Sequence, residues 1–439
     1  MTKELKKNWR EAFSILISLI ILTSLCGCEE KKQDNTVSQD SQPTVQIMEE
    51  STGKTVIRVL MDLPAFIDPV SDALPKSLYG LPGYEQDFIL QVESIEAKGM
   101  NRDNAITRLR TEIMAGDGPD LFICAHRLYG GFSADPEDMP FFRFPEKAMS
   151  NHIFLQLDDY IEKAEYMEWD KLQSVVMDAG KNEEGQQILP LSYTFTATFF
   201  DKDYTPKSKF PMTWVEMIED PDPFIQASAA NIRLYDIIGS LADYSKDVPA
   251  FTEEELKTFA AKELTARKAL SKQISLEEQP VTSPIELQNF SRYDISLNRE
   301  KEYTIVPAFN LLGGVTANIT TFAAINRNAR HPDEAFKIID YLLSPKVQQT
   351  SPLFQSRMEG LPVYVNTGDE NTPPGSAWMM NESNFKAIFE VQKQINSAKF
   401  PGPLDVCLWQ VETEAYDEKT LEKVAHEQYV LMEMLLAES

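Results

Sequence analysis

Thr55-Val56-Ile57-Arg58-Val59-Leu60-Met61 is a run of β-branched and aliphatic side chains, the pattern of a parallel strand buried on both faces. An amphipathic helix is predicted next, capped by Asp103, with Ile106, Leu109 and Ile113 on one face. Gly116 ends it, Gly118-Pro119 turns the chain, and Leu121-Phe122-Ile123-Cys124 reads as a short buried strand. Parallel strands need a crossover, usually a helix, so this strand–helix–strand order commits the region to an α/β sheet.

The alternation continues. Residues 188–195 read as a strand, and Pro211-Met212-Thr213-Trp214-Val215-Glu216 opens a helix with Thr213 and Glu216 in capping-box register. Thr252 and Glu255 form a second capping box, ahead of a helix carrying Leu256, Phe259 and Ala260. Tyr303–Val306 and Thr320–Ile325 read as strands. Pro332 begins a helix, with Asp333 and Glu334 in its first turn, that Pro345 is expected to stop. The C-terminal third reads as helical. Phe385, Ile388, Phe389 and Ile395 make one apolar stripe, and Leu421, Val424, Ala425, Tyr429 and Met432 another.

The N-terminus is of a different kind. Lys3, Lys6, Lys7 and Arg10 precede an apolar stretch from Phe13 to Leu25, too short to span a bilayer comfortably. That reads as a signal peptide, with an uncleaved anchor helix as the alternative. Leu25 stands three residues before Cys28 and small Gly27 just before it, which resembles the lipobox of bacterial lipoprotein signals. The resemblance implies that residues 1–27 are removed and that Cys28 becomes the lipidated first residue. Cys26 does not fit, because Thr23 and Leu25 occupy the corresponding places. Residues 28–54 are polar and are expected to form a disordered tether, with a mean reach of roughly 28 Å.

Removing residues 1–27 leaves 412 residues, too many for one ordinary core, so two lobes are expected. It also removes four basic and two acidic residues, taking the formal net charge from −26 to −28. Such a body is repelled by phosphate backbones, which excludes a nucleic-acid partner, and it has no broad charge-driven hold on an anionic membrane. Cys124 and Cys407 are isolated and read as small buried hydrophobes. The four histidines have no ligand spacing with a second His or Cys, so no metal or cofactor is implied.

The ordered landmarks resemble one family. Residues 110–122, with Gly116-Asp117-Gly118-Pro119-Asp120, resemble a helix–Gly-x-x-Pro-Asp–strand segment of the extracellular solute-binding proteins of family 1. These are the receptors of ABC importers, in the carbohydrate branch that includes maltose-binding protein. Leu189-Pro190-Leu191-Ser192-Tyr193, leading to Phe199-Phe200-Asp201, is similar to that family's first lobe crossover. Pro211–Glu216 is similar to its Pro-x-Thr-Trp-x-Glu helix start. Ala323-Ala324-Ile325-Asn326 and Gly360-Leu361-Pro362-Val363 resemble its late strand and third crossover. The resemblance implies an α/β fold of the periplasmic-binding-protein type II, with two discontinuous α/β lobes, a hinge and a central cleft. Lobe 1 is then expected to hold residues 55–190 with 310–362, and lobe 2 residues 191–309 with 363–439.

Saccharide sites need aromatic faces for rings and planar polar groups for hydroxyls. On the implied fold, the candidates are Tyr193 on the crossover, Trp409 before the last helix, and Tyr129, His126 and Arg127 after the 121–124 strand. Trp214 reads as structural, and Asp120 as a turn-fixing carboxylate. In the 125–131 loop, Cys124, Arg127 and Leu128 replace the sugar-reading side chains of the maltose-binding branch, which sets maltose aside without setting aside saccharides. The function implied is a non-enzymatic, monomeric, lipid-anchored extracytoplasmic receptor. It would capture a sugar or oligosaccharide and deliver it to ABC permease subunits. A lipoprotein that binds a peptide or polyamine, and a surface glycosidase, are the alternatives.

Overall fold

A computed structural model describes residues 48–63, 73–96, 100–125, 140–273, 285–286, 301–350, 360–364 and 382–438. The chain divides into a unit of residues 1–51 and a unit of residues 52–439, and the architecture below is that of the second.

Its principal strands are β1 (Thr55–Asp62), β2 (Phe88–Ser94), β3 (Leu121–Ala125), β4 (Ile188–Thr194), β5 (Thr196–Asp201), β6 (Tyr303–Pro307), β7 (Val315–Ile325), β8 (Leu361–Pro362) and β9 (Ile395–Lys399). The helices that matter here are α1 (Met100–Met114), α2 (Pro145–Ser150), α3 (Ser174–Asp178), α4 (Trp214–Ile218), α5 (Pro223–Ala230), α6 (Leu234–Ile238), α7 (Glu253–Gln273), α8 (Pro332–Leu342), α9 (Pro345–Thr350), α10 (Glu382–Gln392), α11 (Pro403–Glu414) and α12 (Glu418–Ala437).

One sheet has seven strands in the order β8-β4-β7-β3-β1-β2, with β9 also joined to β7. β1 runs parallel to β2 and β3, as the strand–helix–strand reading requires. β7 runs antiparallel to β3 and β4 and parallel to β9. A second, antiparallel sheet places β5 between β6 and the short strand Ile285–Glu286. The chain leaves the first sheet between β4 and β5 and returns to it between β6 and β7.

All eleven residues of β7 are buried. Val315–Asn318 pair with β9, and Thr321–Ile325 pair with β3. Its register against β4 slips between Ile319 and Phe322, where the strand changes neighbours. Asp236 of α6 ties this region together: it accepts from Asn318 Nδ2 at 2.9 Å and from Thr196 Oγ1, at the start of β5, at 2.8 Å.

Arg58 places a buried cation in the middle of β1. Its guanidinium donates to Gly118 O at 2.9 Å and to Glu112 at 3.0 Å. Asp120 accepts from the Arg58 backbone at 2.9 Å and from the Arg330 backbone at 2.7 Å. It therefore pins β1 to the entrance of α8, well beyond its own turn. Trp214 is wholly buried behind its capping box, and its indole donates to Ala229 O at 3.0 Å. Cys124 and Cys407 are buried and free.

Three local readings are corrected. α1 starts at Met100, so Asp103 lies inside the first turn rather than at the cap, where a carboxylate still favours the positive helix end. Pro345 opens the short helix α9 instead of only stopping α8, since proline fits a first helical position. Ile395 belongs to a strand, β9, because pairing with β7 outweighs the weak strand propensity of Asn-Ser-Ala-Lys. Among the described residues, no helix is long and apolar enough to cross a membrane.

Candidate functional site

A concavity of about 450 Å³ beside Asp201, Lys202, Asp203, Lys301 and Glu302 is lined by charged residues whose lysines pair with Glu302 and Asp201, and two further concavities of the described residues compete. One, of about 570 Å³, lies along α7 and is lined by Ile218, Gln226, Ala261, Thr265 and Ala269 among others. Its charged groups, Glu219 and Lys262, face each other at 3.8 Å. Two of its other polar groups, Thr258 and Thr265, donate to the backbone of their own helix. The other is smaller, about 170 Å³, and is walled by four segments distant in sequence: 144–146, 178–181, 240–244 and 398–405.

Local structure delivers each of its side chains. Pro145 at the first position of α2 starts that helix and puts Glu146 in its first turn. β9 ends at Lys399, and Phe400 follows. Pro403 starts α11, whose Asp405 reaches back to accept from the Gly402 N–H at 2.7 Å. The same carboxylate pairs with Lys399, and both side chains are buried. Lys399 Nζ also donates to Tyr235 O at 2.7 Å and lies 5.3 Å from the centre of the Tyr235 ring. This ammonium is therefore fully engaged by protein groups.

Glu146 is not. Its Oε2 is sealed from solvent and has no hydrogen-bond partner among the described residues. Burial pushes its carboxyl up to about 8, with Asp405 adding to the rise. Lys399 and the backbone N–H groups of Glu146 and Phe400 oppose it. Burial, with Glu146 and Asp405 nearby, also holds the Tyr244 phenol far above its ordinary range. The Phe144 and Tyr244 rings touch each other in the lining, with centroids 6.0 Å apart, and Phe400 supplies a third ring. Just outside, Lys147 of α2 pairs with Asp247. Asp178 and Lys181 are exposed and occupy the rim. The cavity thus offers aromatic side chains, one internally neutralised ion pair and a carboxyl with one unpartnered oxygen.

The residues expected from the sequence fall elsewhere. Tyr193 lies in β4 between β7 and β8 with no solvent access, and its hydroxyl accepts from Gln392 Nε2 at 2.7 Å. Gly360, at φ +100°, lets the chain pass so close that a Cβ there would meet Tyr193 O at 2.3 Å. Burial raises the phenol pKa further. Trp409 is half-buried on α11 and packs on the core, beyond the cavity lining. His126, Arg127, Tyr129 and Cys28 lie outside the described residues. Glu146, Tyr244, Lys399 and Asp405, which line this candidate cavity, are residues that the sequence reading did not single out. The one available signal was Lys399, the sole charge in the 395–404 run, just ahead of a Gly-Pro helix start. Among the described residues, no group of three His, Cys, Asp or Glu side chains is placed to hold a metal.

No family model matches the sequence, and no curated protein matches it. Solved structures do. The chain is similar to an extracellular solute-binding protein of family 1 from Alicyclobacillus acidocaldarius, at 15% identity over 87% of this chain and 98% of that one, with a TM-score of 0.56. It is similar to a periplasmic oligogalacturonide binding protein from Yersinia enterocolitica, at 15% identity over 87% and 99%, with a TM-score of 0.56. It is also similar to the sugar-binding protein MalE from Xanthomonas citri, at 14% identity over 88% and 98%, with a TM-score of 0.58. At such identities the likeness is one of fold. The chain has the two-lobed α/β fold of the type II periplasmic binding proteins, shared with family 1 extracellular solute-binding proteins and MalE-like sugar-binding proteins.

Proposed function

We infer that this chain is an extracytoplasmic solute-binding receptor of an ABC importer, anchored through a lipid on Cys28. It captures a sugar or oligosaccharide between two lobes and hands it to a permease. The observation that carries the reading is the cavity walled by residues 144–146, 178–181, 240–244 and 398–405. In the lobe division expected from the sequence, the first two segments belong to lobe 1 and the last two to lobe 2. A ligand seated there touches both, and hinged lobes that close on a ligand present a distinct surface to a transporter. The fold places ligands beyond the carboxyl ends of strands, and Lys399 ends β9 at this wall. The volume is below the ~300 Å³ at which small-molecule sites begin, so an oligosaccharide needs the lobes to part further.

The reading is of a receptor rather than an enzyme. The test is a thermal-shift and calorimetric screen of the purified chain against neutral, acidic and amino oligosaccharides. One of them should raise the melting temperature in a concentration-dependent way and be recovered uncleaved. Cleavage of the stabilising sugar makes the protein a glycosidase. One observation favours a non-sugar solute such as a polyamine: the cavity lining includes a carboxyl with one oxygen that no described group hydrogen-bonds.

A further inference from the structure

We propose that the group seated in this cavity is an organic ammonium, received by the Glu146 carboxyl and the rings of Phe144, Tyr244 and Phe400. This rests on the solute-receptor reading and specifies the ligand's chemistry. Three observations converge. Glu146 Oε2 is a buried acceptor without a partner among the described residues, and leaving such an atom unpaired is unfavourable. The neighbouring cation hydrogen-bonds elsewhere: Lys399 donates to Asp405 and Tyr235 O and bears on Glu146 only through its charge. Three aromatic rings line the same 170 Å³, and the face of an aromatic ring attracts a desolvated cation. A carboxyl among aromatic faces, in a space for a headgroup rather than a chain, is the chemistry that recognises R–NH₃⁺ or R–N(CH₃)₃⁺.

The proposal has a proton signature. The charged or titratable groups facing Glu146 are Asp405 of α11, Lys399 of β9 and Tyr244, with Asp178 and Lys181 at the rim. With its pKa near 8, the empty site holds Glu146 mostly protonated at neutral pH. An arriving ammonium favours the carboxylate, so the carboxyl proton leaves to buffer as the cation seats. Binding near pH 7 should release close to one proton per ligand. Below pH 8, affinity should rise by up to about tenfold for each unit by which pH increases, as linkage requires for one proton lost.

The ammonium group has two sources, an amino sugar or a free amine, and the probes separate them. Glucosamine trimer is set against its N-acetylated form and maltotriose. Spermidine and choline are set against 3,3-dimethylbutan-1-ol, the uncharged carbon analogue of choline. Titration calorimetry in buffers of different ionisation enthalpy reads both affinity and protons released. The expected result is binding of at least one ammonium probe, little or none of its neutral counterpart, proton release, and a tenfold or greater loss in Glu146→Gln. Tyr244→Leu, which keeps bulk and removes the ring, should weaken the same probe. If Glu146→Gln does not fold, the proton count on the unaltered chain still decides. Binding of neutral saccharides alone, with no proton release and no effect of Glu146→Gln, overturns the ammonium assignment and leaves the receptor reading standing. Binding of none of the probes overturns the assignment, and failure of a wider saccharide and peptide panel then removes the receptor reading too.

Discussion

Gln392 Nε2 donates to the Tyr193 hydroxyl at 2.7 Å, joining the last residue of α10 to a strand inside the main sheet. Gln173 holds the same residue from the other side, its Nε2 donating to Gln392 O at 2.8 Å. Tyr193 is thus a fastening between a late helix and the crossover strand. Tyr193→Phe removes the acceptor and leaves a buried amide N–H without it. Stability should fall by about 1–3 kcal/mol. Urea denaturation measures this. A loss of ligand affinity without a change in the unfolding midpoint would mean that the ring meets ligand after all.

Trp214 should behave as pure core. Its ring is wholly buried and its N–H is satisfied by Ala229 O. Trp214→Ala should lower stability by about 3–5 kcal/mol while leaving affinity per folded molecule unchanged. Thermal melts run beside calorimetric titrations separate the two quantities.

Arg102 and Asp62 form a buried pair at 2.7 Å, and Asp62 also accepts from Phe141 N–H at 2.7 Å. Arg102→Met leaves that carboxylate buried without its cation. Breaking such a pair from one side typically costs about 3–5 kcal/mol. Replacing both partners, as Arg102→Met with Asp62→Leu, should recover part of the loss, which a double-mutant cycle in urea would show.

Stability should decline as pH rises through neutrality. Burial raises Glu263 to about 7, with Glu412 adding to the rise and Arg267, at 2.7 Å, opposing it. A carboxyl whose folded pKa lies above its unfolded value binds more protons when folded. Its contribution is therefore present near pH 4.5 and lost as pH rises toward 7. The loss is on the order of 3 kcal/mol. Glu263→Gln should flatten that part of the profile, read as the urea midpoint at about pH 5 and pH 8. An unchanged slope would mean that Arg267 keeps Glu263 ionised throughout.

The proposed lipid anchor is tested by chemistry. Labelled fatty acid should enter the unaltered chain and be absent from Cys28→Ala. Incorporation that survives Cys28→Ala but is lost in Cys26→Ala would move the lipid two residues upstream.

The elements of this protein with a strong local cause are legible in the chain itself. The β-branched run 55–61, the glycines that close α1, and the reciprocal Thr213–Glu216 and Thr252–Glu255 caps act over a few residues, so the chain alone determines them. Tertiary structure decided what depends on distant partners. β9 is a strand because β7 offers it free backbone groups, not because of its side chains. Asp120 was legible as a carboxylate that fixes backbone, but only the fold brings Arg58 and Arg330 to it. The cavity is the extreme case. In sequence, nothing groups Glu146, Lys399 and Asp405, whereas Tyr193 and Trp409 look like site aromatics. Burial, which the chain does not state locally, reverses those roles: it encloses Tyr193 in the sheet, pairs Lys399 with Asp405, and leaves one carboxyl beside three rings at the meeting of four distant segments.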